Sequence, residues 1–312
     1  MKTFGMCCVT SINIQIKMTK KILITGGNGF IARSLVKKLK NDDRYHVCSF
    51  NRKSLDLLDA RKVLKVIKEY EFDVVIHTAT YDAAPRFSTK DPKQVLEQNT
   101  RMFFNIARCS RYFGKMLYFG SGAEFGRESW IPKMAEGYFD SFVPTDQYGF
   151  SKYIMTKHTE QSNNIYNLRI FGVFGEFDDW RYRFISNACC KAVFDLPIVI
   201  KQNSLFDFLY IDDLLKATEW FMENKPEKHV YNICSGVARQ WKSIAEEIID
   251  ISGKNLYIEL KNEKIKVEYS GDSSLFVNEA NFCFSSFRQS LKNMYFWYLH
   301  CKKEIDPHRF EY

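Results

Sequence analysis

Tyr148 and Lys152 stand four residues apart in the stretch DQYGFSKYIMTKH, residues 146–158. Positions i and i+4 share one face of a helix, so a helix from about Gln147 sets a phenol beside an ammonium. That pair can move a proton. A phenol ionises at about 10 in water, too high for an efficient base at neutral pH, and a neighbouring cation favours the charged form. Any surface helix can carry Tyr and Lys at this spacing, so the pair takes its meaning from the rest of the chain.

A second chemical signal is ITGGNGFIA, residues 24–32. Gly26 and Gly29 occupy the first two positions of G-x-x-G-x-x-G and Ala32 the third. Glycine permits the tight turn and the close approach of a pyrophosphate to the backbone, and a helix opening at Phe30 and Ile31 offers free N–H groups. The apolar run KILIT (21–25) before it and helical apolar spacing from Phe30 to Leu39 after it supply the strand–turn–helix context that the motif requires. After the next strand, YHVCSF (45–50), the chain reads Asn51, Arg52, Lys53. NAD binders usually place an acid there for the ribose hydroxyls. An acid would repel a 2′-phosphate, whereas Arg52 can clamp one through two parallel hydrogen bonds. The expected cofactor is NADP(H), ahead of NAD(H).

The elements that must hold these groups follow from apolar period. Residues 60–70 read as an amphipathic helix, DVVIHTA (73–79) as a strand buried on both faces, 93–112 as a long helix, 115–121 and 165–171 as strands and 147–162 as the helix bearing Tyr148. LDLL (55–58) reads as a very short strand. Further on, 206–222 gives strand then helix, 229–236 a strand and 238–251 a helix. Strands alternating with helices mean an α/β fold: a Rossmann-type, doubly wound parallel sheet with helices on both faces. The expected division is an extension over 1–17, a nucleotide-binding domain over 18–175 to which 204–235 returns, and a smaller substrate lobe from 176–203 and 236–312.

Composition agrees with a folded, water-soluble chain: 312 residues, 46% apolar, 26% charged, 16% aromatic. The formal charge of +8 is scattered, with no dense basic run, so nucleic acid is not indicated as a partner. Nine cysteines show no C-x-x-C pair and no metal-ligand spacing, so no metal is expected. Reduced thiols, no secretory signal and no membrane-length apolar run point to the cytoplasm.

These motifs together resemble the extended branch of the short-chain dehydrogenase/reductase superfamily, whose members are nucleotide-sugar epimerases, dehydratases and reductases. The matches run in order: TGGNGFIA, Asp56–Leu57, HTA at 77–79 with Thr78 and Ala79, Asn99, GSGAEFG at 120–126, YGFSK at 148–152, LRIFGVFG at 168–175 with Phe171, FLYIDDL at 208–214 and YNICSG at 231–236. They cover roughly residues 20–240; the last 70 or so carry no such motif. The resemblance implies that Ser121, Tyr148 and Lys152 are the catalytic set. Tyr148 would exchange a proton with a carbonyl or alcohol oxygen, Ser121 would orient that oxygen, and Lys152 would also hold the nicotinamide ribose. It implies cofactor contacts from Gly26, Gly29, Phe30, Ile31, Asn51, Arg52, Asp56, Leu57, Thr78, Ala79 and Phe171. Gly122, Ala123, Arg181 and Arg183 are weaker candidates for a nucleotide-diphosphate sugar, and a homodimer is expected through the helices around Met102, Phe103, Ile106, Ile154 and Met155.

Missing residues sort the reaction. Similar dehydratases carry acids directly after and two after the catalytic Ser/Thr; here those positions are Gly122 and Ala123, and Glu124 comes one late, on another face. GDP-fucose synthases use a Cys two after that serine and a His in the later loop, but Ala123 replaces the Cys and 175–190 contains no His. Phe206 stands where an Arg usually precedes D-F-x-Y, which puts the usual diphosphate contact in doubt. Asp212 and Asp213 read as helix caps. What remains is plain hydride transfer to a 4-keto sugar, 4-epimerisation with retained NAD as the alternative, or a non-catalytic NADP-binding regulator.

Overall fold

The computed structural model describes residues 19–83, 88–265 and 267–310; the expected extension over 1–17 lies outside them. β1 (Lys20–Thr25), β2 (Tyr45–Phe50), β3 (Val74–His77), β4 (Lys115–Ser121), β5 (Ile165–Ile170) and a later strand, Val230–Ile233, form one parallel sheet. The order is β2-β1-β3-β4-β5-(230–233), so the chain reverses its direction of travel beside β1 and β3. Ligands in such sheets bind outside the carboxyl ends of the strands at that reversal. Those ends carry the Gly26 turn and Thr78–Ala79.

Helices cover both faces. α1 (Phe30–Leu39) packs on one; α2 (Ala60–Tyr70), α3 (Val95–Ala107) and α4 (Gln147–Glu160) pack on the other. Asp59 starts α2 by accepting from the N–H groups of Arg61 and Lys62, and Asp146 starts α4 by accepting from Gly149. Beyond β5 come β6 (Gly172–Phe174), α5 (Phe184–Val193), β7 (Ile198–Ile200), β8 (Leu205–Tyr210), α6 (Ile211–Glu223), β9 (Val230–Ile233, the sheet's last strand), β10 (Ala238–Gln240), α7 (Trp241–Ser252), β11 (Ile258–Leu260), β12 (Glu268–Tyr269), α8 (Ser274–Ala280) and α9 (Phe287–His300). β8 centres a second small sheet between β10 and β12, with β6 also paired to it.

Several elements differ from the sequence expectation. Leu55 and Leu57 are buried as a strand would require, but Asp56 accepts from Leu58 N at 3.0 Å and bends 55–58 into a turn. The helix expected over 93–112 is α3 with a 3₁₀ turn at each end, Pro92–Gln94 and Ser110–Tyr112. Residues 238–240 extend against β8 before α7 begins. Within 204–235, β9 enters the main sheet whereas β8 belongs to the small one. Asp212 and Asp213 make no side-chain cap on α6; Asp213 accepts from the N–H and hydroxyl of Ser285 at 2.8 and 2.7 Å, tying α6 to the C-terminal segment. Of the five residues offered for a dimer seam, Phe103, Ile106 and Met155 are buried against the chain's own sheet, leaving Met102 and Ile154 part-buried. Among the described residues no helix is long and apolar enough to cross a membrane.

Candidate active site

Two cavities meet the carboxyl edge of the sheet. The smaller, about 320 Å³, is lined by Gly26, Gly29, Asn51, Arg52, Asp56, Leu57, Thr78 and Ala79. Gly26 has φ +69°, and a Cβ there would lie 2.8 Å from the Ala79 backbone, so only glycine fits this turn. Gly29 N-caps α1 without a side-chain hydrogen bond, which leaves the first-turn amides to a ligand. Asn51 also shapes the loop: its Oδ1 accepts from Lys53 N at 2.9 Å and Ser54 N at 3.2 Å, a turn that presents Arg52. Asn99 Oδ1 accepts from Tyr81 N at 2.7 Å and fixes the loop on the far wall. Lys90, which the sequence reading missed, lines the same cavity.

The larger cavity, about 800 Å³, is lined by Ser121 and Tyr148 together with Phe30, Ile31, Phe171 and Arg183. Ser121 ends β4, where its hydroxyl accepts from Ala123 N at 3.2 Å and opens a 3₁₀ turn over Gly122–Phe125. Lys152 sits beneath Tyr148, 7% exposed, and its ammonium donates to the Phe119 carbonyl at 2.7 Å, 5.7 Å from the Tyr148 ring centre. Burial lowers the Lys152 pKa to about 8, against the pull of Glu124. Burial also raises the Tyr148 phenol above its ordinary value, with Asp82 adding to the rise and Ser121, Arg183 and Arg127 opposing it. The sequence reading expects Lys152 to lower the phenol; here burial sets the direction of the shift, upward, while the Lys152 ammonium hydrogen-bonds the Phe119 carbonyl. Tyr148 is therefore a protonated phenol at neutral pH, a state suited to giving a proton.

Under this site lies a buried polar network. Glu124 and Arg169 are both fully buried and ion-paired. Glu124 also accepts from Thr156 Oγ1 at 2.9 Å on α4, and Arg169 donates to Asn232 Oδ1 at 3.0 Å on β9. The 3₁₀ turn after Ser121, not a strand alternation, carries Glu124 away from the cleft.

Not every expected substrate residue reaches the cleft. Gly122 is covered by the rings of Phe171 and Tyr269, which a Cβ would meet at 2.6 and 2.7 Å. Ala123 is buried. Arg181 is held in an ion pair with Asp179, whereas Arg183 does line the cleft. Phe206 joins an aromatic wall, with ring centres 5.3 Å from both Tyr269 and Trp241. Trp130, Trp241 and Tyr269 went unseen in the sequence, since lone aromatics outside any motif read as core.

The sequence profile of the NAD dependent epimerase/dehydratase family matches residues 22–234. The chain belongs to this family. It is 25% identical over 232 residues to Protein CapI of Staphylococcus aureus, covering 63% of this chain and 67% of the relative. The fold is shared with a GDP-L-fucose synthetase from Naegleria fowleri bound to NADP, at TM-score 0.79 and 18% identity over 91% of this chain and 94% of the other. It is shared as well with MlghC, a GDP-mannoheptose C4 reductase from Campylobacter jejuni with NADP bound, at TM-score 0.77 and 19% identity over 90% and 98%. In this epimerase/dehydratase chain the glycine turn, Ser121, Tyr148 and Lys152 all fall inside the matched span.

Proposed function

We propose that the protein is an NADPH-dependent reductase of a nucleotide-linked 4-keto sugar. The observation that carries this reading is the placement of Tyr148 with Ser121 on the wall of the large cleft, its part-buried phenol pushed further toward the protonated form by burial. Reduction of a ketone needs a proton donor at the oxygen while hydride arrives at carbon. NADPH, when bound, supplies that hydride. The smaller cavity suits it, because Arg52 faces the place of a 2′-phosphate and Lys90 lines the same wall. The neighbours of shared fold that hold NADP support the cofactor reading. Ser121 orients the carbonyl oxygen, Tyr148 gives its proton, and Arg183, with Lys93 and Arg127 on the same lining, offers positive charge to a diphosphate. A homodimer through α3 and α4 is part of this reading; light scattering at micromolar concentration should give twice the 36.8 kDa chain mass, and a strictly monomeric species would remove it.

The deciding experiment follows NADPH absorbance with 4-keto and 4-hydroxy nucleotide sugars in parallel. A reductase consumes NADPH with the 4-keto compound. Conversion of a 4-hydroxy sugar to its C4 epimer with no NADPH consumed makes the protein an epimerase with retained NAD. NADPH binding without turnover of either makes it a regulator.

The cofactor arm has its own test. Arg52→Ala should weaken NADPH binding by about 1–3 kcal/mol, the worth of a charge-assisted phosphate contact, and leave NADH binding unchanged. Fluorescence titration of both cofactors reads this directly. Equal wild-type affinity for NADPH and NADH would remove the phosphate role of Arg52.

A further inference from the structure

Two phenols bear on the Ser121 hydroxyl. One is Tyr148 on α4. The other is Tyr269 on β12, whose hydroxyl lies 3.5 Å from Ser121 Oγ. Tyr269 comes from the C-terminal segment, which the motifs do not reach, yet its placement is built. β12 pairs with β8, setting Tyr269 level with Phe206. The Trp130 ring stacks on it with centres 4.2 Å apart, and Trp130 Nε1 donates to the Gly122 carbonyl at 3.1 Å. Phe171 packs on it at 5.0 Å. Gly122 leaves the space that the ring fills: a Cβ at that position would lie 2.7 Å from the Tyr269 hydroxyl oxygen.

Counting donors and acceptors decides the direction of the contact. A serine hydroxyl has one proton and two acceptor sites. One acceptor site of Ser121 takes Ala123 N–H at 3.2 Å. Among the described residues, Tyr269 has no hydrogen-bond partner for its hydroxyl other than Ser121. A phenol 7% exposed gains most by donating its proton to the one oxygen within reach. With both acceptor sites of Ser121 filled, the single serine proton is left to point into the cleft. At 3.5 Å the contact is long for two hydroxyls, and hydrogen bonds of catalytic groups commonly tighten around substrate.

We propose that Tyr269 is a positioning residue that donates to Ser121 and thereby aims the serine proton at the Tyr148 oxygen and at the substrate oxygen beside it. The inference rests on the reductase reading for its turnover test but has a second readout that needs no substrate. Desolvation keeps Tyr269 protonated well above neutral pH, so the donor is present throughout the working range.

The test compares Tyr269→Phe, Ser121→Ala and the double variant in NADPH-driven reduction of 4-keto nucleotide sugars. Tyr269→Phe loses only a hydroxyl and keeps the ring stack. It should lower kcat roughly tenfold, the worth of one well-placed hydrogen bond, with the NADPH Kd unchanged. In the Ser121→Ala background the same change should have no further effect, because there is no serine proton left to aim. An undiminished kcat, or the same tenfold loss with and without Ser121, overturns the proposal. In parallel, the tyrosinate absorbance of wild type minus Tyr148→Phe gives the ionisation midpoint of Tyr148 in the NADP⁺ complex. Taken in the Tyr269→Phe background, that midpoint should rise by roughly half a pH unit; an unmoved midpoint also overturns the proposal. If no 4-keto sugar is turned over, the reductase reading fails while the titration still decides Tyr269.

Discussion

Tyr148→Phe is expected to lower kcat for NADPH-driven reduction by roughly 10²–10⁴, the usual contribution of a positioned general acid. Only a hydroxyl is lost, so the fold and NADPH affinity should persist. The direction of catalysis matters to this forecast. Burial holds the phenol protonated, while the Lys152 ammonium below it donates to the Phe119 carbonyl. The group is thus ready to donate to a developing alkoxide without prior adjustment. Single-turnover mixing of enzyme, NADPH and a 4-keto nucleotide sugar measures the step, and cofactor titration checks binding. A variant that reduces the sugar at the wild-type rate would show that the proton comes from elsewhere.

Glu124→Ala should destabilise the protein by about 3–5 kcal/mol, the cost of leaving a buried charge without its partner. Glu124 and Arg169 are both 0% exposed, and Arg169 Nη2 already lacks a hydrogen bond. Once the carboxylate is removed, the guanidinium keeps its hydrogen bond to Asn232 and the rings of Phe125 and Phe139, 4.3 and 5.2 Å from its carbon, none of which carries a compensating charge. The loss propagates to the site because Glu124 bonds Thr156, one turn beyond Lys152 on α4. Denaturant unfolding at neutral pH reads the change. Replacing both partners with apolar residues, Glu124→Leu with Arg169→Met, should recover much of it, since a well-packed apolar pair can match a buried ion pair. A loss under about 1 kcal/mol for Glu124→Ala would mean that water or a shifted side chain satisfies Arg169.

The Lys152 result shows how far i, i+4 spacing can carry an inference. The spacing correctly puts Tyr148 and Lys152 on one helix, but it leaves open where a flexible four-carbon stem aims its charge. The Phe119 carbonyl at the end of β4 decides that, and it is 33 residues away in the chain.

The local code of the sequence determined the nucleotide turn and the strands and helices that frame it. Gly26 is legible because a positive φ and a backbone contact under 3 Å restrict the residue type at once, and Gly29 because it follows at the motif's spacing, where a Cβ would crowd the Gly26 carbonyl at 3.2 Å. The buried strands β1, β3 and β4 are legible because apolar runs of their length have few other uses. The turn at 55–58 was not, since one Asp56 hydrogen bond overrides an apolar pattern that suits a strand equally well. Tertiary structure alone decided who stands beside Ser121. Tyr269, Trp130 and Phe206 come from separate segments whose meeting depends on the pairing of β8 with β12 and on the space left by Gly122. An aromatic residue carries the same local signal in a core as in a catalytic wall, and only the folded chain distinguishes the two.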